Sequence, residues 1–147
     1  MAAAGVVCLQ EFGQYDDWRI GRSMEVIHAA VQGTPRARTR DGSMPFDAYT
    51  LYYVGQAIYQ VGGDAWSSNY PRLRNYLVDS QLNDPNNPQL HGAWRDHGWQ
   101  GGGRVAGKDG ELYATSVACF ILAIPNRYLP ILQEGKIESF KAKGAGN

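Results

Sequence analysis

The chain has 147 residues, 44% of them hydrophobic and 19% charged, with fourteen basic side chains balanced by fourteen acidic ones. That length holds one domain with a buried core, and the composition excludes wholesale disorder. Nothing in the zero net charge points to nucleic acid or an anionic membrane as a partner. Arg36, Arg38 and Arg40 form one small basic cluster ahead of Asp41; no aromatic residues interleave to stack bases, so it reads as a solvated loop.

Apolar residues recur at helical spacing almost throughout, and strand-like alternation is nearly absent. The first predicted helix covers residues 2–12 and stops at Gly13. The second covers 17–32, with Ile20, Met24, Ile27 and Val31 on one stripe. Asp16-Asp17 just before it reads as a helix cap. Residues 34–45 are polar and rich in breakers, hence a loop. Asp47 then caps a third helix reaching Val61, with Gly62-Gly63 as its stop. Leu51, Val54, Ile58 and Val61 form its apolar face, and Tyr49, Tyr53, Gln56 and Gln60 lie opposite.

In the fourth segment Trp66, Tyr70, Leu73 and Leu77 share a face, with Arg72, Asn75 and Asp79 opposite. Pro71 suits a first helical position, so a turn over 64–68 and a helix from Pro71 to Gln81 are expected. A long loop, residues 83–110, carries His91, Trp94, His97, Trp99 and a Gly101–Gly103 run; its tryptophans argue that it is partly packed. A fifth helix is expected over 111–124, with Tyr113, Val117, Phe120 and Ile124 on one stripe and Pro125 as its stop. A short helical piece at 129–134 would precede a frayed tail, 136–147, so the folded domain is placed at 1–135.

Cys8 and Cys119 each lie in an apolar helical run, where a cysteine is expected to be a small buried hydrophobe. Whether they pair depends on whether their helices are neighbours. No targeting segment is visible and no stretch reaches the ~20 apolar residues of a membrane span, so the visible chain reads as soluble, with its compartment unspecified.

Three runs share a character: Ala4-Gly5-Val6-Val7-Cys8, Val54-Gly55-Gln56-Ala57-Ile58 and Thr115-Ser116-Val117-Ala118-Cys119. Each has a small residue in second place, which would admit a neighbouring backbone, and one amphipathic helix separates each run from the next. The stretch from Leu51-Tyr52-Tyr53 through Gln60-Val61-Gly62-Gly63 to Trp66, Pro71-Arg72-Leu73-Arg74, Leu77 and Gln81 resembles the prenyltransferase/squalene-oxidase repeat of squalene-cyclase-like proteins. Gly92-Ala93-Trp94 is similar to the Gly-x-Trp end of that repeat, and Gly102-Gly103-Arg104-Val105 followed by Tyr113 resembles the lead into a following copy. The resemblance implies an all-α fold of α-hairpin repeats, forming an arc or part of an α/α toroid. It further implies a longer protein, or self-association at the ends of the arc.

The family's chemistry is missing from the chain. There is no Asp-x-Asp-Asp acid motif, and Arg19-Ile20 follows Asp16-Asp17 where a metal-binding aspartate cluster would continue. Cys8, Cys119, His28, His91 and His97 show no zinc-ligand spacing, the Cys-Gly-Glu-Gln thioester run is absent, and no metal or other cofactor is expected. Gly101-Gly102-Gly103-Arg104 leads to no Gly-Lys-Ser/Thr, so it is not read as a phosphate cradle. Asp96, Asp109 and Glu111 are the only carboxylates for a carbohydrate-acting barrel.

What remains is a candidate ligand-binding set on the aromatic face and the loop: Tyr49, Tyr53, Gln56, Trp66, Trp94, Trp99, Arg104 and Tyr113. The reading is therefore a non-catalytic helical repeat module that offers a binding or scaffold surface. The alternative is a piece of a cyclase- or prenyltransferase-like enzyme whose catalytic residues lie outside this chain.

Overall fold

The computed structural model describes residues 1–35, 40–96 and 107–126. The expected helical piece at 129–134, the tail 136–147, Arg36, Arg38, His97, Trp99, Gly101–Gly103 and Arg104 lie outside the described residues. The fold is all-helical: α1 Ala2–Glu11, α2 Trp18–Gly33, α3 Ala48–Val61, α4 Gly63–Ser80 and α5 Gly107–Ala123, with a 3-10 turn Ile124–Asn126. The odd-numbered helices stand side by side in the order α1, α3, α5, and α2 packs beside α4 to form a second row. None of the described helices is long and apolar enough to cross a membrane.

The expected boundaries of the first three helices hold because local chemistry sets them. Gly13 adopts φ 74, and the chain closes α1 with paired bonds from Gly13 N–H to the Gln10 carbonyl and Gln14 N–H to the Leu9 carbonyl. Asp17 caps α2 by accepting from the Arg19 N–H at 2.9 Å, and the Arg19 guanidinium also binds its carboxylate. Those bonds hold the Asp17 carboxyl at a pKa of about 2. Two carboxylates serve α3: Asp47 accepts from Thr50 N–H at 3.0 Å, and buried Asp96, far along the chain, accepts from Ala48 N–H at 2.7 Å.

Two boundaries differ from expectation. α4 begins at Gly63 and runs through Pro71, which therefore lies inside the helix instead of opening it. A proline there removes one ladder bond and costs about 3 kcal/mol in an isolated helix. The stripe Trp66, Tyr70, Leu73, Leu77 continues across it, with the last three buried, and Trp66 stacks on Tyr70 at 4.0 Å. Tertiary burial on both sides of the proline outweighs the lost bond, and exposed Pro71 turns its ring to solvent. α5 begins at Gly107, four residues earlier than the apolar pattern suggested, which shortens the long loop.

The described part of that loop is partly packed, with Trp94 and Asp96 buried. Gly42 and Arg40 clasp it: Asn83 N–H donates to the Arg40 carbonyl, and Arg95 N–H to the Gly42 carbonyl, while Gly42 N–H reaches the Ser80 carbonyl. Trp94, 3% exposed, enters the core and donates its indole N–H to the Leu77 carbonyl at 3.0 Å. The Arg72 guanidinium ties α4 to α2 by donating to the Val31 and Thr34 carbonyls at the end of α2.

The three similar runs share some environments and not others. Their third places (Val6, Gln56, Val117) and fourth places (Val7, Ala57, Ala118) are all buried. Their fifth places diverge: Ile58 is buried, whereas Cys8 and Cys119 are exposed, free thiols, which overturns the expectation that both are buried. The reason is position in the row, because α3 is flanked on both sides while α1 and α5 each lack one flanking helix in the described structure. The second places diverge too. A Cβ on Gly55 would overlap Cδ1 of Ile121 on α5, but a Cβ on Gly5 would meet nothing within 4 Å. At Gly55 the close neighbour is the Ile121 side chain and not a backbone, and at Gly5 there is none, so the expected approach of a neighbouring backbone is seen at neither glycine.

The two glycines should answer alanine substitution in opposite directions. Gly5→Ala should stabilise by about 0.5–1 kcal/mol through helix propensity alone. Gly55→Ala should destabilise by about 1–3 kcal/mol, because overpacking exceeds that gain. Denaturant midpoints of the two variants against the parent chain check both signs.

Candidate binding groove

The spacing Tyr49, Tyr52, Tyr53 puts three phenol rings on one side of α3 at i, i+3 and i+4. On α5, Tyr113, Ser116, Val117 and Phe120 make the matching stripe. With the Ile121 side chain of α5 seated over Gly55, the two stripes meet as the walls of an open groove of about 340 Å³, in which none of the described lining residues is charged. Tyr49 and Tyr53 meet edge to face at 5.0 Å, Tyr52 and Tyr53 at 5.3 Å, and Tyr52 crosses to Phe120 at 5.2 Å. Such ring pairs contribute about 0.5–1.5 kcal/mol each beyond the area they bury.

Behind the rings, buried Gln56 donates its amide N–H to the Tyr52 hydroxyl at 3.0 Å, which fixes that phenol by its oxygen. A hydrogen bond with the Tyr49 phenol raises the Tyr53 pKa above the usual phenol value, with a smaller push from Tyr49 electrostatics and burial. The Tyr53 phenol therefore stays protonated at ordinary pH.

The six described members of the set singled out from sequence do not gather in one place. Tyr49, Tyr53 and Tyr113 come together in the groove, and Gln56 supports it from behind. Trp66 belongs to a separate cluster, edge-on to Tyr59 at 5.6 Å and stacked on Tyr70, whose hydroxyl reaches the Leu122 carbonyl on α5. Burial raises the Tyr70 pKa, with Arg74 opposing. Trp94 is a core residue: besides its indole bond, its backbone N–H donates to the Thr115 hydroxyl at 3.0 Å, which fastens the loop to α5. Trp99 and Arg104 lie outside the described residues.

Tyr52, Ser116, Val117 and Phe120 are the groove residues that the sequence reading did not select. A signal for three of them existed: Tyr52 adjoins Tyr53, and Val117 and Phe120 share the Tyr113 stripe. The carboxylates weighed for carbohydrate chemistry are engaged otherwise, Asp96 at the start of α3 and Glu111 with Arg95 at 3.9 Å, while Asp109 is exposed. Among the described residues, no group of three or more His, Cys, Asp or Glu could hold a metal ion. Comparison with protein-family models, curated proteins and solved structures finds no match for this chain.

Spectrophotometric titration of phenolate should reveal the Tyr49–Tyr53 pairing. Because the folded pKa of Tyr53 is raised, its contribution to stability is present below the ordinary phenol pKa of 10.0 and is lost as pH rises through the folded value. Because buried Tyr70 also ionises late, the titration is run on a Tyr70→Phe background, where the late component should disappear with Tyr53→Phe and move toward the ordinary value with Tyr49→Phe. A parent chain whose tyrosines all ionise together at the ordinary value would contradict the pairing.

Proposed function

We propose that this chain is a non-catalytic module of helical hairpin repeats, of the kind its sequence resembles in prenyltransferase and squalene-cyclase-like proteins. It serves as a binding or scaffold surface, joined to further repeats or to a second copy of itself. The observation that carries the reading is the groove between α3 and α5, lined by four half-buried tyrosines and Phe120, with no acid, base or metal-ligand cluster among the described lining residues. Concave, mostly apolar sites with a few fixed polar groups are the usual form of a binding site.

The two rows of helices support the repeat reading, since a unit of one inner and one outer helix buries its faces only against its neighbours. Association is supported by large apolar side chains left exposed on the helices at either end of the described arrangement and on the turn beside them: Phe12 at 82%, Trp18 at 69%, Val26 at 61% and Leu112 at 72%. The missing Asp-x-Asp-Asp and zinc-ligand patterns support a role without catalysis.

Light scattering of the purified chain should give a mass of two or more copies, and incubation with squalene or farnesyl diphosphate should give no cyclised or transferred product. A monodisperse monomer contradicts the association. Turnover of either substrate contradicts the non-catalytic reading.

A further inference from the structure

The side of α2 turned away from the core has an order of its own. Ile20, Ile27 and Val31 are buried, and on the opposite side Trp18, Arg22, Glu25 and Ala29 recur at alternating spacings of four and three residues, all of them exposed. That is the seam spacing of two helices packed side by side. The seam is also a palindrome in size and charge about the midpoint between Ser23 and Met24. A tryptophan at one end answers an alanine at the other, and between them an arginine answers a glutamate. Among the described residues neither Arg22 nor Glu25 enters an ion pair, and the Arg22 guanidinium lies over the Trp18 ring at 5.9 Å on the same outward face. Trp18 is 69% exposed, and Val26, at 61%, borders the seam.

We propose that this face of α2 docks on the same face of a second copy of the chain, antiparallel, across a twofold axis through the midpoint of the seam. This rests on the reading that the chain associates, and it assigns the surface. Pairing about that midpoint sets Trp18 over the partner's Ala29 and Arg22 against the partner's Glu25, and the twofold axis makes each contact twice. The small Ala29 side chain leaves room for the indole, which loses much of its exposed apolar area to the contact. The same helices set parallel would bring Arg22 onto Arg22 and Glu25 onto Glu25. Like charges face to face repel, so the charges select the antiparallel arrangement and its register more than they add affinity. An unrelated partner would have to carry this pattern in reverse, whereas a second copy supplies it by symmetry. α2 has 16 residues and is about 24 Å long, so the seam is short and the dimer forms reversibly, in proportion to concentration.

Sedimentation equilibrium of the full chain over a range of concentrations tests the assignment. Arg22→Glu sets two glutamates against two on the partner, and Glu25→Arg sets two arginines against two. Each should weaken self-association by about tenfold. Mixing the two variants should restore it, because every charged contact across the mixed pair is then between opposite signs. Arg74→Glu, an exposed charge reversal on α4, should leave self-association unchanged. Circular dichroism of each variant should match the parent chain, since the substituted side chains are exposed, and so separates loss of association from loss of fold. Self-association that neither reversal weakens, or that mixing fails to restore, overturns this surface and leaves the wider reading of an associating module standing. A parent chain that stays monomeric at every concentration overturns both.

Discussion

Everything in this fold leans on the close approach of α3 and α5 at Gly55. α3 is the one helix that borders α1, α4 and α5, and Leu51, Ala57 and Ile58 on it are completely buried. The contact with α5 needs a position without a side chain, because the tip of Ile121 occupies the space a Cβ would take, with Ile124 just beyond. The room left by that missing methyl group is filled by the Ile121 side chain of α5. The Tyr52 ring therefore reaches Phe120, and two separate stripes of aromatic side chains become one groove.

Polar bonds fix ends and corners, and apolar faces do the holding. Arg72 closes the end of α2 from α4, Asp96 opens α3 from the loop, and Trp94 pins that loop to both α4 and α5. Each of these bonds joins elements distant in sequence and satisfies a group that a helix end or a buried indole leaves open. By contrast, the ion pair of Arg19 with Asp17 is exposed and local. It positions the start of α2 and contributes little to overall stability once solvent screens it.

Helix content and the stripes of α2, α3 and α4 were legible because they depend on periodicity within one element. The features that were not legible depend on neighbours. Cys8, Ile58 and Cys119 occupy the same place in similar runs, yet only Ile58 is buried, since burial follows from what stands beside a helix and not from the helix's own hydrophobicity. Pro71 looked like a helix start by local rules, and only the packing of Trp66 and Tyr70 ahead of it extends α4 back to Gly63. For the site, the tyrosine face of α3 and the Tyr113 stripe of α5 were each visible alone. Their meeting is a tertiary fact, and so is the separation of Trp66 and Trp94 from them. One hint lay in the sequence: a glycine in the middle of an otherwise good helix, which is costly unless something needs the room.

A double-mutant cycle between Gly55 and Ile121 tests the account at its centre. Ile121→Val removes the methyl that an alanine at position 55 would strike. The destabilisation of the double variant Gly55→Ala/Ile121→Val should therefore be smaller than the sum of the two single losses, by about 0.5–1.5 kcal/mol in denaturant unfolding. Strict additivity would mean that α3 and α5 do not meet at these residues, and the groove built on their contact would fall with it.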